Sequence, residues 1–248
     1  MNILVCISRV PDTATRILVG SDGKSIDTQG VKFIVNPYDE YALEEGLRLK
    51  EKNGGTVTAV NVGPESSKET LRTALAMGAD KAVLVKTDAV FDSYFAASNL
   101  AAVAKELAPD IILMGRQSVD FDSLQVPSMM AEILGLPSVS VVSKLTIDGD
   151  KVLAERDIEG GKEIIETSLP CIISAQKGLN EPRYPKLPDI MKAKSKPIEE
   201  KAPVVSENRT SVIGMEIPMK KRAGIILGDT DEDIAELVRK LHEDAKII

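Results

Sequence analysis

The chain of 248 residues has no tryptophan, four tyrosines and four phenylalanines, so aromatic side chains make up only 3% of it. Surfaces that hold single-stranded nucleic acid stack bases on aromatic rings inside a basic groove. With 38 acidic against 31 basic residues and a formal charge of −7, this chain does not offer that surface, and no nucleic-acid partner is expected. Histidine occurs once, as His242, and cysteine twice, as Cys6 and Cys171. A structural zinc site is usually closed by four Cys or His ligands; three scattered candidates exclude that class, and no metal site is expected. A Ser-His-Asp or Cys-His mechanism would rest wholly on His242, close to the C-terminal end of the sequence, an improbable place for it. No apolar run approaches the ~20 residues of a membrane-spanning helix, so no membrane insertion is expected. Met1 leads straight into an apolar strand pattern, without the basic stretch and cleavage site of a secretory leader. Together with two widely spaced cysteines, this points to a reducing, cytoplasmic setting.

What is present is an alternation of strand and helix signals over the first two thirds of the sequence. Asn2–Ile7, Thr56–Val62, Lys81–Val85 and Asp110–Met114 are short, almost wholly apolar runs of strand length. Between them, Asn36-Pro37 places a favoured N-cap before a proline suited to the first helical position, with Asp39 and Glu40 in the first turn. Ser66 and Glu69 fit a capping box that opens a helix to Met77. Ala96, Leu100, Val103, Ala104 and Leu107 repeat at helical spacing, as do Val126, Met129, Met130 and Ile133. Repeated β-α-β units with apolar strands imply a parallel sheet covered by helices on both faces. Arg16–Val35 reads as a hairpin around Ser21-Asp22-Gly23. Ser138–Ile147, Val152–Asp157 and Glu163–Ser168 read as edge hairpins, and Cys171–Ala175 as one more strand.

Beyond Lys177 the character changes. Residues up to Ile217 are rich in proline and lysine and lack periodicity, and between Lys192 and Arg222 eight basic residues face four acidic ones. Such a segment makes no core of its own; it reads as an extended arm on a partner or as a linker. Asp229–Lys246 closes the sequence as an amphipathic helix carrying Ile234, Leu237, Val238 and Leu241 on one side. The expected division is an α/β domain over residues 1–176 and an arm with a terminal helix over residues 177–248.

Ligands of open parallel sheets bind at the carboxyl ends of strands, near the reversal of strand order. Four loops qualify: Ser8–Thr13, Asn36–Asp39, Val62–Pro64, and the run from Gly115 to Ser123. In the last, Arg116 stands beside backbone amides that lead into a helix, an arrangement suited to a phosphate or to an ordinary capped helix start. Asp120 and Asp122 suit helix capping better than acid–base catalysis. Neither a G-x-G-x-x-G nor a P-loop lysine motif occurs, which argues against a dinucleotide-type Rossmann site and a P-loop NTPase.

Longer strings carry a resemblance. Leu179-Asn180-Glu181-Pro182-Arg183-Tyr184, followed by Leu187 to Lys194, resembles the recognition loop of electron transfer flavoprotein β subunits. Glu155 to Gly161 with Leu169-Pro170 is similar to the signature of that family, and Thr70 to Asp80 and Asn36 to Asp39 match it in order. The resemblance covers essentially the whole chain. It implies a five-stranded parallel sheet of the adenine-nucleotide α-hydrolase (Rossmann-like) type with edge hairpins and an extended C-terminal arm. It implies a heterodimer with an α subunit that carries FAD, taking electrons from acyl-CoA and related dehydrogenases to a quinone reductase.

Within this chain the resemblance makes residues 1–176 a nucleotide-binding domain without a catalytic residue. It implies a structural AMP held by Cys6, Asn36, Pro37, Tyr38, Asp39, Val62, Gly115, Arg116, Gln117, Ser118, Val119, Asp120, Asp122, Ser123, Gln125 and Val126. It implies dehydrogenase docking through Leu187, Pro188, Ile190, Met191, Lys192 and Lys194, with Leu187 as the apolar anchor. Lys192, Lys194 and Lys196 would steer acidic partner surfaces, and Asp157 falls on an acid that influences domain positioning. Two departures bear on the nucleotide. Val126 stands where a threonine would contact the AMP phosphate, and Thr13 where an aromatic would approach the flavin. Both are similar to the electron-bifurcating branch, whose β subunit holds a second FAD and oxidises NADH. The recognition arm resembles the non-bifurcating branch and is the longer match, so AMP is favoured over FAD or a weakly filled site. A stand-alone pyrophosphatase-like enzyme would want a Ser-Gly-Gly-type phosphate loop where this chain has Ser8-Arg9-Val10.

Overall fold

The structure, a computed structural model, describes residues 1–205, 207–218 and 224–247. In chain order the elements are β1 (Asn2–Cys6), β2 (Arg9–Pro11), β3 (Phe33–Val35), α1 (Pro37–Asn53), β4 (Thr56–Gly63) and α2 (Lys68–Met77). Then follow β5 (Lys81–Lys86), α3 (Ser93–Leu107), β6 (Ile111–Gly115), α4 (Val126–Leu134), β7 (Ser138–Asp148), β8 (Lys151–Ile158), β9 (Gly161–Ser168) and β10 (Cys171–Ala175). The chain closes with α5 (Leu187–Ser195), β11 (Glu199–Lys201) and α6 (Asp231–Arg239).

Nine strands form one sheet in the order β11-β5-β4-β1-β6-β10-β7-β8-β9. The centre, β5-β4-β1-β6-β10, is the parallel sheet that the apolar runs predict. β7 and β11 extend it in parallel on either side, and β8 and β9 add the antiparallel edge. Side chains alternate across the sheet. Ile3 and Val5 enter a core with Leu43, Leu47, Leu71 and Leu75 from α1 and α2. Leu4 and Cys6 enter a second core with Leu100, Val103 and Met130 from α3 and α4. Gly46 lets α1 lie close on the sheet: a Cβ there would stand 3.1 Å from Val5 and 3.2 Å from Ile3.

Several expectations need correction. Arg16–Leu18 forms no strand. The first strand of the ladder lies before the predicted hairpin: Arg9–Pro11 pairs with Phe33–Val35, and a single Val19–Ile26 bridge surrounds the Asp22-Gly23 turn. Asp22 Oδ1 accepts from Lys24 N and Ser25 N, so the turn is closed by that side chain and needs no extended strands. The Ser66 capping box does not form; Glu65–Ser67 is a 3-10 turn, and α2 starts without a side-chain cap. The segment after Pro182 is not all extended, because nine of its residues form α5. Pro188 sits in the first turn of that helix, where a missing N–H costs nothing. Residues 187–201 pack on the main sheet: Ala193 is buried in its core, and β11 pairs with β5. The terminal helix is shorter than predicted, ending at Arg239 before one π-type turn to Asp244, and Ile234, Leu237 and Val238 on it are exposed. Of the basic run, Lys220, Lys221 and Arg222 lie outside the described residues.

Candidate functional site

From β1 the chain crosses to β4 on one side, and β6 joins β1 on the other. The direction of winding therefore reverses between β1 and β6, and a crevice opens at their carboxyl ends. Asp39, in the first turn of α1, fills its floor. The carboxylate accepts the backbone N–H of Ser8 at 2.7 Å, just beyond β1, and that of Gly115 at 2.8 Å, the last residue of β6. Burial pushes Asp39 up to about 7, against the downward pull of these hydrogen bonds. Burial, and then the charge of Asp39, pushes the Cys6 thiol upward, so Cys6 is a packing residue and no nucleophile.

Asn36 is fully buried and ties the loop after β6 in place. Its Nδ2 donates to the Gln117 carbonyl at 2.8 Å, and its Oδ1 accepts from Val119 N at 3.2 Å. The predicted side-chain cap of α1 is therefore absent; the side chain is spent on the loop. That loop runs from Arg116 to Gln125 in irregular backbone, and the helix begins only at Val126. Asp122 and Leu124 take positive φ values of 52° and 53°, and Gln117 Nε2 donates to Asp122 Oδ1. The amides of residues 117–123 thus line a turn, not the helix start that the sequence suggests.

These loops enclose a cavity of about 170 Å³. Of the predicted nucleotide residues, Cys6, Asp39, Val62, Gly115, Arg116, Gln117, Ser118, Asp120, Ser123, Gln125 and Val126 line it. Asn36, Pro37, Tyr38, Val119 and Asp122 do not; Asn36, Val119 and Asp122 belong to the bonds that shape the loop, and Tyr38 lies under the Arg116 guanidinium at 5.3 Å. Ser8, Arg9, Phe91, Asp92, Ser93, Ala96, Leu100, Phe121 and Leu124 also line it. The sequence reading names Ser8 and Arg9 only as part of a loop, and gives no signal for Phe91 to Ser93.

The cavity has two kinds of wall. Val62, Phe91, Ala96 and Leu100 contribute apolar lining. Opposite chemistry comes from Arg9 and Arg116. Arg9 stacks on Phe33 at 3.5 Å, and its buried Nε has no partner among the described residues. Arg116 Nε donates to Gln117 Oε1 at 2.8 Å. Among the described residues neither guanidinium is in a salt bridge, whereas Arg48, Arg156, Arg183, Arg209 and Arg239 all are. Asp39, Asp92 and Asp120 also line the cavity, but an apolar slot beside two guanidiniums that are in no salt bridge among the described residues has the chemistry of a site for a flat, apolar-faced ring bearing an anionic group. Among the described residues no group of His, Cys, Asp and Glu side chains could hold a metal ion.

The predicted docking residues lie elsewhere, all on α5. Leu187 is 73% exposed and Met191 58%, with Pro188, Ile190, Lys192 and Lys194 also exposed. Lys196 corrects the expectation placed on it. Its ammonium turns inward and donates to the Ala79 carbonyl at 2.9 Å, so it does not face a partner. Asp157 stands exposed on β8, 3.8 Å from Lys162 and apart from the cavity lining. No helix among the described residues is long and apolar enough to cross a membrane.

The profile of the electron transfer flavoprotein domain matches residues 24–206. The chain is 44% identical over 259 residues to the electron transfer flavoprotein subunit beta of Bacillus subtilis (strain 168), covering 100% of both chains. To the mitochondrial electron transfer flavoprotein subunit beta of Arabidopsis thaliana it is 39% identical over 249 residues, covering 98% of this chain and 99% of the relative. To the electron transfer flavoprotein subunit beta of Syntrophomonas wolfei subsp. wolfei (strain DSM 2245B / Goettingen) it is 41% identical over 233 residues, covering 94% and 92%.

Proposed function

The chain belongs to the electron transfer flavoprotein β-subunit family, and from that premise we propose that it is the nucleotide-holding, docking half of a 1:1 heterodimer. The α subunit carries FAD, which supplies the redox chemistry. This chain holds AMP as a structural ligand, and residues 177–248 contact the α subunit. α5 docks acyl-CoA or related dehydrogenases, and the electrons leave to a quinone reductase.

The observation that carries this reading is a cavity with donors for an anion, whose buried carboxyl, Asp39, has both oxygens engaged by the backbone N–H groups of Ser8 and Gly115. Arg9, Arg116 and Ser118 suit a phosphate, and Phe91, Ala96 and Leu100 suit the faces of adenine. The Cys6 thiol is held protonated by burial, and no histidine lines the cavity. A helix with Leu187 and Met191 turned to solvent suits a partner that supplies an apolar pocket.

A second reading rests on Val126, which lines the cavity without a hydroxyl: the bifurcating arrangement, with FAD in this subunit and NADH as reductant. Mass analysis of nucleotides released from the purified heterodimer separates the two. One AMP and one FAD per heterodimer are expected; two FAD and no AMP overturn the AMP assignment. In parallel, Leu187→Ala is expected to slow electron transfer from a dehydrogenase while leaving assembly and bound flavin unchanged.

A further inference from the structure

A buried carboxylate on α1 has no role in the cavity. Glu44 has a side chain only 3% exposed, and acids are almost never so buried unless paired. Its partner comes from far along the chain. Arg183 gives Glu44 three hydrogen bonds: Nε to Oε2 at 2.8 Å, Nη2 to Oε1 at 3.1 Å and its backbone N to Oε2 at 3.2 Å. Two turns further along α1, Glu51 takes the other edge of the same guanidinium at 2.5 and 3.2 Å. Arg48 adds a bond to Glu44 at 2.8 Å. Asn180, itself buried, donates to Glu45 Oε2 at 2.9 Å and to the Tyr41 carbonyl at 3.0 Å. One rigid helix therefore holds residues 180–183, and that same helix starts with Asp39 in the cavity floor.

We propose that Arg183 is a positioning residue for partner docking: its fork onto Glu44 and Glu51 fixes the direction in which the chain enters α5 and so aims Leu187.

This rests on the docking reading above. The two ends of α5 are held by different devices. Its C-terminal end is fixed by Arg72, whose Nη1 donates to the carbonyls of Ala193 at 2.6 Å and Lys196 at 3.0 Å, and by the buried Ala193. The N-terminal end carries Leu187, and among the described residues no side-chain hydrogen bond or ion pair from another element holds it; the nearest anchor upstream is Arg183. Between Arg183 and Leu187 stand Tyr184, 94% exposed, Pro185 and Lys186, and Leu187 is itself followed by Pro188. Proline restricts its own φ and the residue before it, so Pro185 and Pro188 restrict Tyr184, Pro185 and Leu187, and fixing Arg183 leaves Lys186 as the main free link in the span to Leu187. A docking anchor ordered in advance loses less entropy on binding. The planar fork of arginine can satisfy two carboxylates at once, which the point charge of lysine cannot. Loss of one partner would leave a buried charge uncompensated, so the informative variant neutralises both sides.

The test uses the intact heterodimer with an acyl-CoA dehydrogenase as electron donor and compares Glu44→Gln/Arg183→Met, Arg183→Lys and Leu187→Ala. For the double variant, KM for the dehydrogenase is expected to rise on the order of tenfold with kcat retained, the mark of lost binding alone. Amide exchange is expected to quicken over residues 184–190 and stay unchanged over 192–196, with bound nucleotide and flavin unchanged. Arg183→Lys, which keeps the charge without the fork, is expected to lie between the double variant and the parent. Unchanged exchange over 184–190 in both latch variants overturns the proposal. So does a normal KM in the double variant when Leu187→Ala raises it. If Leu187→Ala leaves KM unchanged, the docking reading fails instead, and with it the role assigned to the latch.

Discussion

Asp39 and Gly115 are joined by a hydrogen bond of 2.8 Å that links the first turn of α1 to the last residue of β6. The contact is so close that Gly115 has no room for a side chain. A Cβ there would stand 2.7 Å from Tyr38 Cβ and 2.8 Å from Asp39 N, both fixed by the helix. Gly115→Ala is expected to cost about 1–3 kcal/mol, the usual range for overpacking a rigid site. Urea denaturation measures this, and it should be accompanied by weaker nucleotide retention. A variant as stable as the parent would mean that α1 can slide on the sheet.

The protonation of Asp39 gives the fold a pH dependence of definite sign. Unfolded, an aspartate titrates near ~3.9; folded, burial pushes this one up to about 7. Between those values the folded state keeps a proton that the unfolded chain has lost, so stability falls as pH rises through the window. Glu40 and Glu45, also raised by burial, act in the same direction. Thermal melts at about pH 5, 6, 7 and 8 are expected to show Tm declining. Asp39→Asn should flatten that decline while lowering stability throughout, because an amide offers one acceptor oxygen to two N–H donors.

Val126 opens α4, where the helix dipole favours an anion, yet presents only methyl groups to the cavity. Val126→Thr is expected to tighten AMP binding by roughly tenfold, the equivalent of one hydrogen bond to a charged group. Calorimetric titration of AMP into nucleotide-stripped heterodimer provides the measurement. Weaker binding would count against a phosphate lying at this helix start.

Asp92 serves two segments with its two oxygens. Oδ1 caps α3 through Phe95 N at 2.9 Å; Oδ2 accepts Arg209 N at 2.6 Å, Thr210 N at 2.7 Å and Thr210 Oγ1 at 3.1 Å. Burial raises its pKa, but these N–H groups outweigh it and hold the carboxyl below its usual range, so the stability it adds is lost as pH falls. Asp92→Ala is expected to destabilise by about 1–2 kcal/mol through the lost cap. Limited proteolysis should then cut the arm near residues 207–210 faster than in the parent. Unchanged cleavage would show that the remaining contacts suffice to hold the arm: Asn99 with Val204 and Val205, and Asn208, which accepts from Asp92 N and donates to the Val90 carbonyl.

What the sequence makes legible follows the range of the forces involved. Apolar runs such as Ile111–Met114 and helix signals such as Ala96 to Leu107 are local, and the central sheet and its covering helices form where they indicate. Gly115-Arg116 announces the cavity because it sits where β6 runs into a loop at the sheet's carboxyl end, and Asn36–Asp39 because it joins a strand to the start of α1, where Asp39 reaches the cavity. Phe91, Asp92 and Ser93 carry no such mark; they reach the cavity only through the sheet order, which no local pattern states. α5 is hidden by prolines that read as breakers, although Pro188 falls where a helix accepts it. β11 is hidden differently. Glu199-Glu200-Lys201 has no β-propensity, and the sheet edge is completed by charges, with Lys68 and Lys86 each meeting Glu65 and Glu200.

That late edge matters while the protein is being made. β5 is apolar and fully buried over Ala82–Val85, yet the segment that covers its outer side is translated much later. Lys196, just before β11, meets the carbonyl of a residue 117 positions upstream. Until the ribosome has supplied that stretch, β5 offers a row of unpaired backbone groups to any other nascent strand. Lys81 and Lys86, both exposed, stand at its two ends as charged gatekeepers against such pairing.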